Sequence, residues 1–524
     1  MQQVVEPQEV VVREVPVDVA RAPSRRRRPD LWVPIVALVA LATYLPHGFQ
    51  GLFSRDLGVY AYGARQVLAG EPPYVGIVNR AGPLAHLLPV PGILLSRVSG
   101  LDEITGMRVW YLVLAVASVV LSYVVGRHVF RSTPAGLAAA ATLLAFQGFI
   151  DLATTGPREK TPMVLFVLCA FWALSHRRWV LTGVAIALAT LTLQIVFLPL
   201  LLAAVVTVLV DAHVRRLRSL GRLLVGGAIP TLAVTAYFAA YGALGALVDG
   251  LYLWNSRYST GRPFTSRASL LWGRLEDGYG ASLWLLVGGL VLVFVVTLLR
   301  LADWTRRHDA ATVTMIALSV ATVGSLLWTE VDFDGFQDAF PLLPLAALGV
   351  GAAIAEVGHR VPRPVALVAA ALAVVVPTGL AVHYSTTVRD NRLQVQEAMT
   401  DVLLKDLPGA RIWSVSAPQF LVLAQRSNPT SYQLLSDGQT DLIDDAWPGG
   451  LDGWVQWNLA QQPDLVAVNG LELKLGDWKS RLGPGYVQVG SAPGVFWFAR
   501  ASYGPETLQA IRVEGRAVRA AMSP

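Results

Sequence analysis

Cysteine is almost missing: Cys169 stands alone in 524 residues, inside an apolar run. One cysteine forms no intrachain disulfide and supplies no cysteine metal site. Charge is the second scarcity. Asp, Glu, Lys and Arg make up 15% of the chain against 54% hydrophobic residues, where a soluble globular domain is about a quarter charged. With a mean hydropathy of +0.50, this composition excludes an ordinary soluble domain and indicates a membrane protein. A Gly-rich phosphate cradle, an HExxH zinc helix and a Gly-x-Ser-x-Gly elbow are also missing. Nucleotide-sugar chemistry of the cytoplasmic kind is therefore unsupported. No internal repeat is evident, which counts against transporter folds built from repeats.

What is present is a series of apolar stretches from about residue 31 to about residue 384. The net charge of +6 is read by location, because basic residues mark the cytoplasmic side of a membrane protein. Residues 1–30 form a polar arm, predicted disordered, that ends in Arg25-Arg26-Arg27-Arg28 and carries no cleavage site. An arginine run can contact nucleic acid, but beside an anchor it fixes the N-terminus inside, and no nucleic-acid partner is expected. The clusters Arg127/His128/Arg131, His176/Arg177/Arg178, Arg215/Arg216/Arg218, Arg306/Arg307 and Arg360/Arg363 should share that side.

The topology that satisfies them has about eleven crossings. They fall at 31–48, 105–126, 135–150, 162–176, 180–194, 195–210, 222–241, 281–300, 310–328, 340–357 and 364–384. Pro83–Val98 is short, broken by Pro89 and Pro91, and is read as re-entrant, since a full crossing would put the Arg127 cluster outside. The expected fold is a polytopic all-α membrane domain over 31–384 in the plasma membrane. A small α/β domain over 385–524 follows on the outer face. Its strands are predicted at Arg411–Ser416, Asp464–Asn469, Tyr486–Gly490 and Val495–Arg500, and its helices at Pro418–Gln425 and Leu451–Leu459. Trp447, Trp454 and Trp457 can stack on a sugar, but packing in a small core or against the bilayer is the favoured role.

One polar stretch organises the rest. After the first anchor, Asp56 precedes an amphipathic helix that Gly70, Pro72 and Pro73 close. Leu57, Tyr60, Ala61, Ala64, Val67 and Leu68 recur at helical spacing, so the helix is expected to lie along the membrane on that face. The helix dipole would favour ionised Asp56 at its N-terminus. If the substrate is a lipid-linked sugar phosphate, Asp56 can deprotonate or orient an acceptor hydroxyl. Arg80 and Arg158 can clamp the phosphate. Glu159, in Gly156-Pro157-Arg158-Glu159-Lys160, supplies a second carboxylate. The two carboxylates can share a divalent cation (Mg or Mn) or divide base and orienting roles. The acidic run Glu330, Asp332, Asp334 and Asp338 matches no calcium loop, and an exposed loop is the favoured reading.

These residues also carry a family likeness. Arg55-Asp56-Leu57-Gly58-Val59-Tyr60-Ala61-Tyr62, then Gly70-Glu71-Pro72-Pro73-Tyr74, then Gly82-Pro83-Leu84 resembles the first outer loop of bacterial family-39-type glycosyltransferases. These are GT-C enzymes, related to protein O-mannosyltransferases and to the lipid A aminoarabinose transferase. Gly156–Glu159 sits where the family has its second-loop acid. Leu253–Tyr258, with Asn255 and Tyr258, resembles its third-loop element. Phe340–Pro344 is similar to its late Pro-containing helix, and Arg411–Leu435 to the start of its outer domain. The resemblance implies inverting transfer from a polyprenyl-phosphate sugar to a glycan, lipid or protein acceptor, with Asp56 as the catalytic acidic residue. It also implies that Arg55 and Tyr60 belong to the donor site. Two departures stand out: Ala81 replaces the Lys the family has before Gly-Pro, with Arg80 beside it, and Gly76 stands where an acid is common.

Two other classes stay open: a lipid-linked-sugar flippase or transporter, and a non-catalytic homologue that binds a glycan lipid. Transporters usually bury ionisable residues near mid-membrane. Here the spans are nearly free of charge, which favours surface chemistry. Convergence of Asp56, Arg80 and Glu159 on one cavity is the discriminating observation.

Overall fold

Where no water is available, a chain satisfies its own backbone polar groups by forming helices, and the apolar runs do so throughout. The structure, a computed structural model, describes residues 30–257, 264–331, 333–435, 439–470 and 475–522. Helices occupy every segment expected to cross. Six helices of the described residues are long and apolar enough to span a membrane, or seven if the pair Thr133–Leu144 and Gln147–Thr155, bent by 68°, counts as one. Five shorter apolar helices complete the bundle. Lys160–Ser175, with 16 residues, is about 24 Å long against an apolar layer of about 30 Å.

Most of these helices share one continuous apolar core, while the 84–99 segment packs with the loop after the first anchor. Small residues allow close approach: a Cβ on Gly349 would lie 2.2 Å from the carbonyl oxygen of Gly289 on the neighbouring helix. The segment expected to be re-entrant forms two short helices, Leu84–Leu87 and Val90–Ser99. It runs beside the start of Glu103–Phe130, with Trp110 Nε1 donating to the Leu88 carbonyl at 2.9 Å. The chain reverses at Gly100 (φ +77°), and Arg65 then pairs with Glu103 at 3.4 Å.

At the other end of the bundle the basic clusters gather. The rings of His128 and His176 stack at 3.6 Å, and Arg306 and Arg360 both bond Glu356. They lie together, at the end away from Asp56.

The C-terminal residues form a four-stranded sheet in the order β1-β2-β4-β3, with β1 Ile412–Val415, β2 Leu465–Asn469, β3 Tyr486–Ala492 and β4 Val495–Arg500. β1 and β2 are parallel, and the other pairs are antiparallel. Side chains alternate across the sheet. Trp413, Val466 and Phe498 face a core that buries Trp454. Ile412, Leu465 and Trp497 face the helix Arg392–Asp406 and the loop after the first anchor.

That second core corrects one expectation. The helix Arg55–Leu68 does form, capped by Ser54, but its apolar face does not meet lipid. Leu57, Tyr60, Ala61 and Ala64 are buried with Phe420 and Leu421 of the C-terminal helix Pro418–Leu423. The two helices touch backbone to backbone, since a Cβ on Gly58 would stand 2.3 Å from the Gln419 nitrogen. Helical spacing identifies an apolar face but not what covers it.

Candidate active site

Asp56 lies in the first turn of Arg55–Leu68, where the helix dipole favours an anion. Two guanidinium groups reinforce that preference. Arg55 donates from Nε and Nη2 to Oδ1 at 3.0 and 2.9 Å, and Arg158 Nη2 reaches Oδ2 at 2.8 Å. Burial pushes the Asp56 carboxyl up, but Arg158 and Arg55 outweigh it and hold the group well below the usual carboxylate range. Arg158 is shared, with its Nε 3.8 Å from Glu159 Oε2. Burial lowers the Arg158 guanidinium pKa, and Asp56 and Glu159 more than restore it. Glu159 is 3% exposed and sits at the N-cap position of Lys160–Ser175. Burial, and then the Glu159 carboxylate, push the Tyr60 phenol well up.

Two predicted residues, Arg80 and Asn255, converge from farther away, with Gln194 beside them. The Arg80 carbonyl accepts from Gln194 Nε2 at 3.1 Å and from Asn255 Nδ2 at 3.0 Å. Asn255 therefore fixes the backbone that carries Arg80. Arg55, Asp56, Tyr60, Arg80, Arg158 and Glu159 all line one cavity of about 960 Å³, which Asn255 also borders. The discriminating convergence of Asp56, Arg80 and Glu159 is met. Tyr258 lies outside the described residues, as does Asp332.

Lys160 and Asp338 are the partners that sequence reasoning did not assign. They form an ion pair at the cavity wall, where Lys160 is buried. Asp338 also accepts from the backbone N–H groups of Asp334 and Gly335 at 2.9 and 3.0 Å. Burial raises the Asp338 carboxyl, but Lys160 and the two backbone N–H groups outweigh it and hold the group below its ordinary value. The exposed-loop expectation therefore fails for Asp338, whose side chain is only 19% exposed. The signal available in the sequence was Lys160 itself, contiguous with Arg158 and Glu159.

Among the described residues no three His, Cys, Asp or Glu side chains are grouped to hold a metal. Arg158 already bridges the two carboxylates. Its guanidinium occupies the place between Asp56 and Glu159 that a shared divalent cation would take.

The tryptophans serve packing. Trp454 is fully buried, and Trp447 and Trp457 pack on each other at 5.5 Å; none of the three lines the cavity.

No family model and no curated sequence matches the chain. Solved structures do. ArnT from Cupriavidus metallidurans in the apo state is similar over 90% of this chain and 99% of that one, with a TM-score of 0.59 and 14% identity. The same protein bound to undecaprenyl phosphate gives a TM-score of 0.61 and 13% identity over the same shares. At that identity the likeness shows the fold: this chain has the GT-C membrane fold.

Proposed function

We propose that the chain is a membrane glycosyltransferase that moves a sugar from a polyprenyl-phosphate donor to an acceptor hydroxyl, inverting the anomeric centre. One observation carries this reading: an ionised carboxylate, Asp56, shares a cavity wall with Arg55, Arg80 and Arg158. The undecaprenyl phosphate bound to the structurally similar ArnT supports the same lipid class here. The acceptor oxygen bonds to the anomeric carbon as the carbon–oxygen bond to phosphate breaks. The acceptor proton passes to Asp56, and the polyprenyl phosphate leaves with the electron pair, stabilised by guanidinium N–H donors.

Arg158 and Arg55 hold Asp56 more acidic than proton transfer near neutral pH favours, because a base works best with a pKa near the working pH. A donor phosphate competes for Arg158. As Arg158 turns toward it, Asp56 loses its strongest opposing cation and becomes more basic. Substrate binding thereby prepares the base, while Glu159 keeps the guanidinium at the site. In this reading the chain crosses the plasma membrane about eleven times, with the basic end cytoplasmic and the C-terminal domain outside. The acceptor is a glycan, a lipid or a protein hydroxyl.

The test is turnover by purified protein in lipid, with a panel of polyprenyl-phosphate sugars, comparing the native chain with Asp56→Asn. Transfer or sugar release by the native chain, lost in the variant, is expected. A native chain inert to every donor that it binds would sink the proposal.

A further inference from the structure

A second polar cavity, of about 860 Å³, lies where the basic clusters meet. The helix Glu103–Phe130 connects the two ends: its first residue pairs with Arg65, and its 28 residues carry the chain about 42 Å to Arg131. The cavity is lined by Arg131, Arg177, Arg300, Arg306, His128 and His359. Three carboxylates hold the guanidinium groups without matching them in number. Glu356 takes Arg300 at 2.8 Å and Arg306 at 2.7 Å, Asp309 takes Arg300 at 3.3 Å, and Asp211 takes Arg177 Nε at 2.7 Å. Among the described residues, both terminal nitrogens of Arg177 then lack an acceptor, and Arg131 makes no ion pair. Asp30, two residues after the run Arg25–Arg28, pairs with Arg127 at this same end.

An apolar groove of about 390 Å³ adjoins this cavity. It is walled by Trp32, Val39, Leu137, Leu144, Leu367 and Val375, and Pro134 borders both spaces. From Leu367 to Thr378 the groove follows one helix for about 16 Å, close to half of an apolar layer of about 30 Å. A basic space roomy enough for a phosphate headgroup thus adjoins a channel as deep as one leaflet.

We propose that this end of the bundle binds one anionic phospholipid, its phosphate against Arg131 and Arg177 and an acyl chain in the groove. Arginine suits the phosphate because its planar fork offers several donors. The adjoining groove distinguishes a lipid from a free phosphate, which needs no apolar channel. The proposal does not depend on sugar transfer.

Its test is lipid retention by the full-length purified chain in phosphatidylcholine nanodiscs doped with phosphatidylglycerol, with bound lipid counted by native mass spectrometry. Preferential retention of phosphatidylglycerol is expected. Arg131→Gln/Arg177→Gln should reduce it roughly tenfold. Ala371→Trp, which fills the groove from an exposed position, should also reduce it. Unchanged thermal unfolding shows that both variants remain folded. No preference for phosphatidylglycerol in the native chain overturns the proposal. Displacement by millimolar inorganic phosphate, with Ala371→Trp unaffected, overturns it in favour of a free anion. Displacement by an equimolar amount of undecaprenyl phosphate overturns it in favour of the carrier lipid.

Discussion

The acidity of Asp56 is set by its neighbours. Its folded pKa lies below its unfolded value of about 3.9. Stability from this arrangement is therefore present above about pH 4 and is lost as pH falls through the folded value. Replacing Arg158 by Gln removes the larger opposing cation, so Asp56 should titrate higher. The acid limb of the kcat/KM profile, which reports the free enzyme, should then move upward while kcat falls by about two to three orders of magnitude. A lowered rate with an unmoved limb would confine Arg158 to the phosphate. Lys160 makes a different prediction. Lys160→Met leaves Asp338 ionised and unpaired in a mostly buried site and should cost about 3 kcal/mol in chemical unfolding. Lys160→Met/Asp338→Leu should recover most of that loss. Asp56, Arg158 and Glu159 were legible because short stretches carry them. The Lys160–Asp338 pair was not, because its members are 178 residues apart and no local pattern joins them.

Among the elements, the helix Arg55–Leu68 joins the membrane bundle to the sheet. Its spacing and terminating prolines were readable; its Ser54 cap was not, and Asp56, expected ahead of the helix, lies in its first turn. Its partner was not readable either, since a lipid face and a protein face have the same apolar periodicity. Gly58 is the point of closest approach. Gly58→Val should force the helices apart and destabilise the contact by about 1–3 kcal/mol. Hydrogen exchange should show Pro418–Leu423 losing protection while the spans keep theirs, and transfer activity should fall as Asp56 shifts. Protection that stays unchanged would mean the outer domain is held elsewhere. The strands show the opposite case: all four formed within a few residues of expectation, because short apolar runs bounded by turn residues leave few alternatives.

For the whole molecule, the separation of the Asp56 cavity from the basic clusters predicts the orientation. In a Cys169→Ser background, Lys479→Cys in the C-terminal domain should react with an impermeant maleimide in intact cells. Arg218→Cys should react only after permeabilisation. Labelling of both from the same side would reject the topology. The amino-acid sequence by itself determined the membrane class, the helical segments, the common side of the basic clusters and the candidate carboxylate, because hydropathy, charge and capping act over windows of a few to twenty residues. Only the tertiary structure decided what covers the Asp56 helix, how Gln194 and Asn255 hold Arg80, and which cations keep Asp56 ionised. Those depend on contacts between residues far apart in the chain, whose energies come from burial and approach distance rather than from local composition.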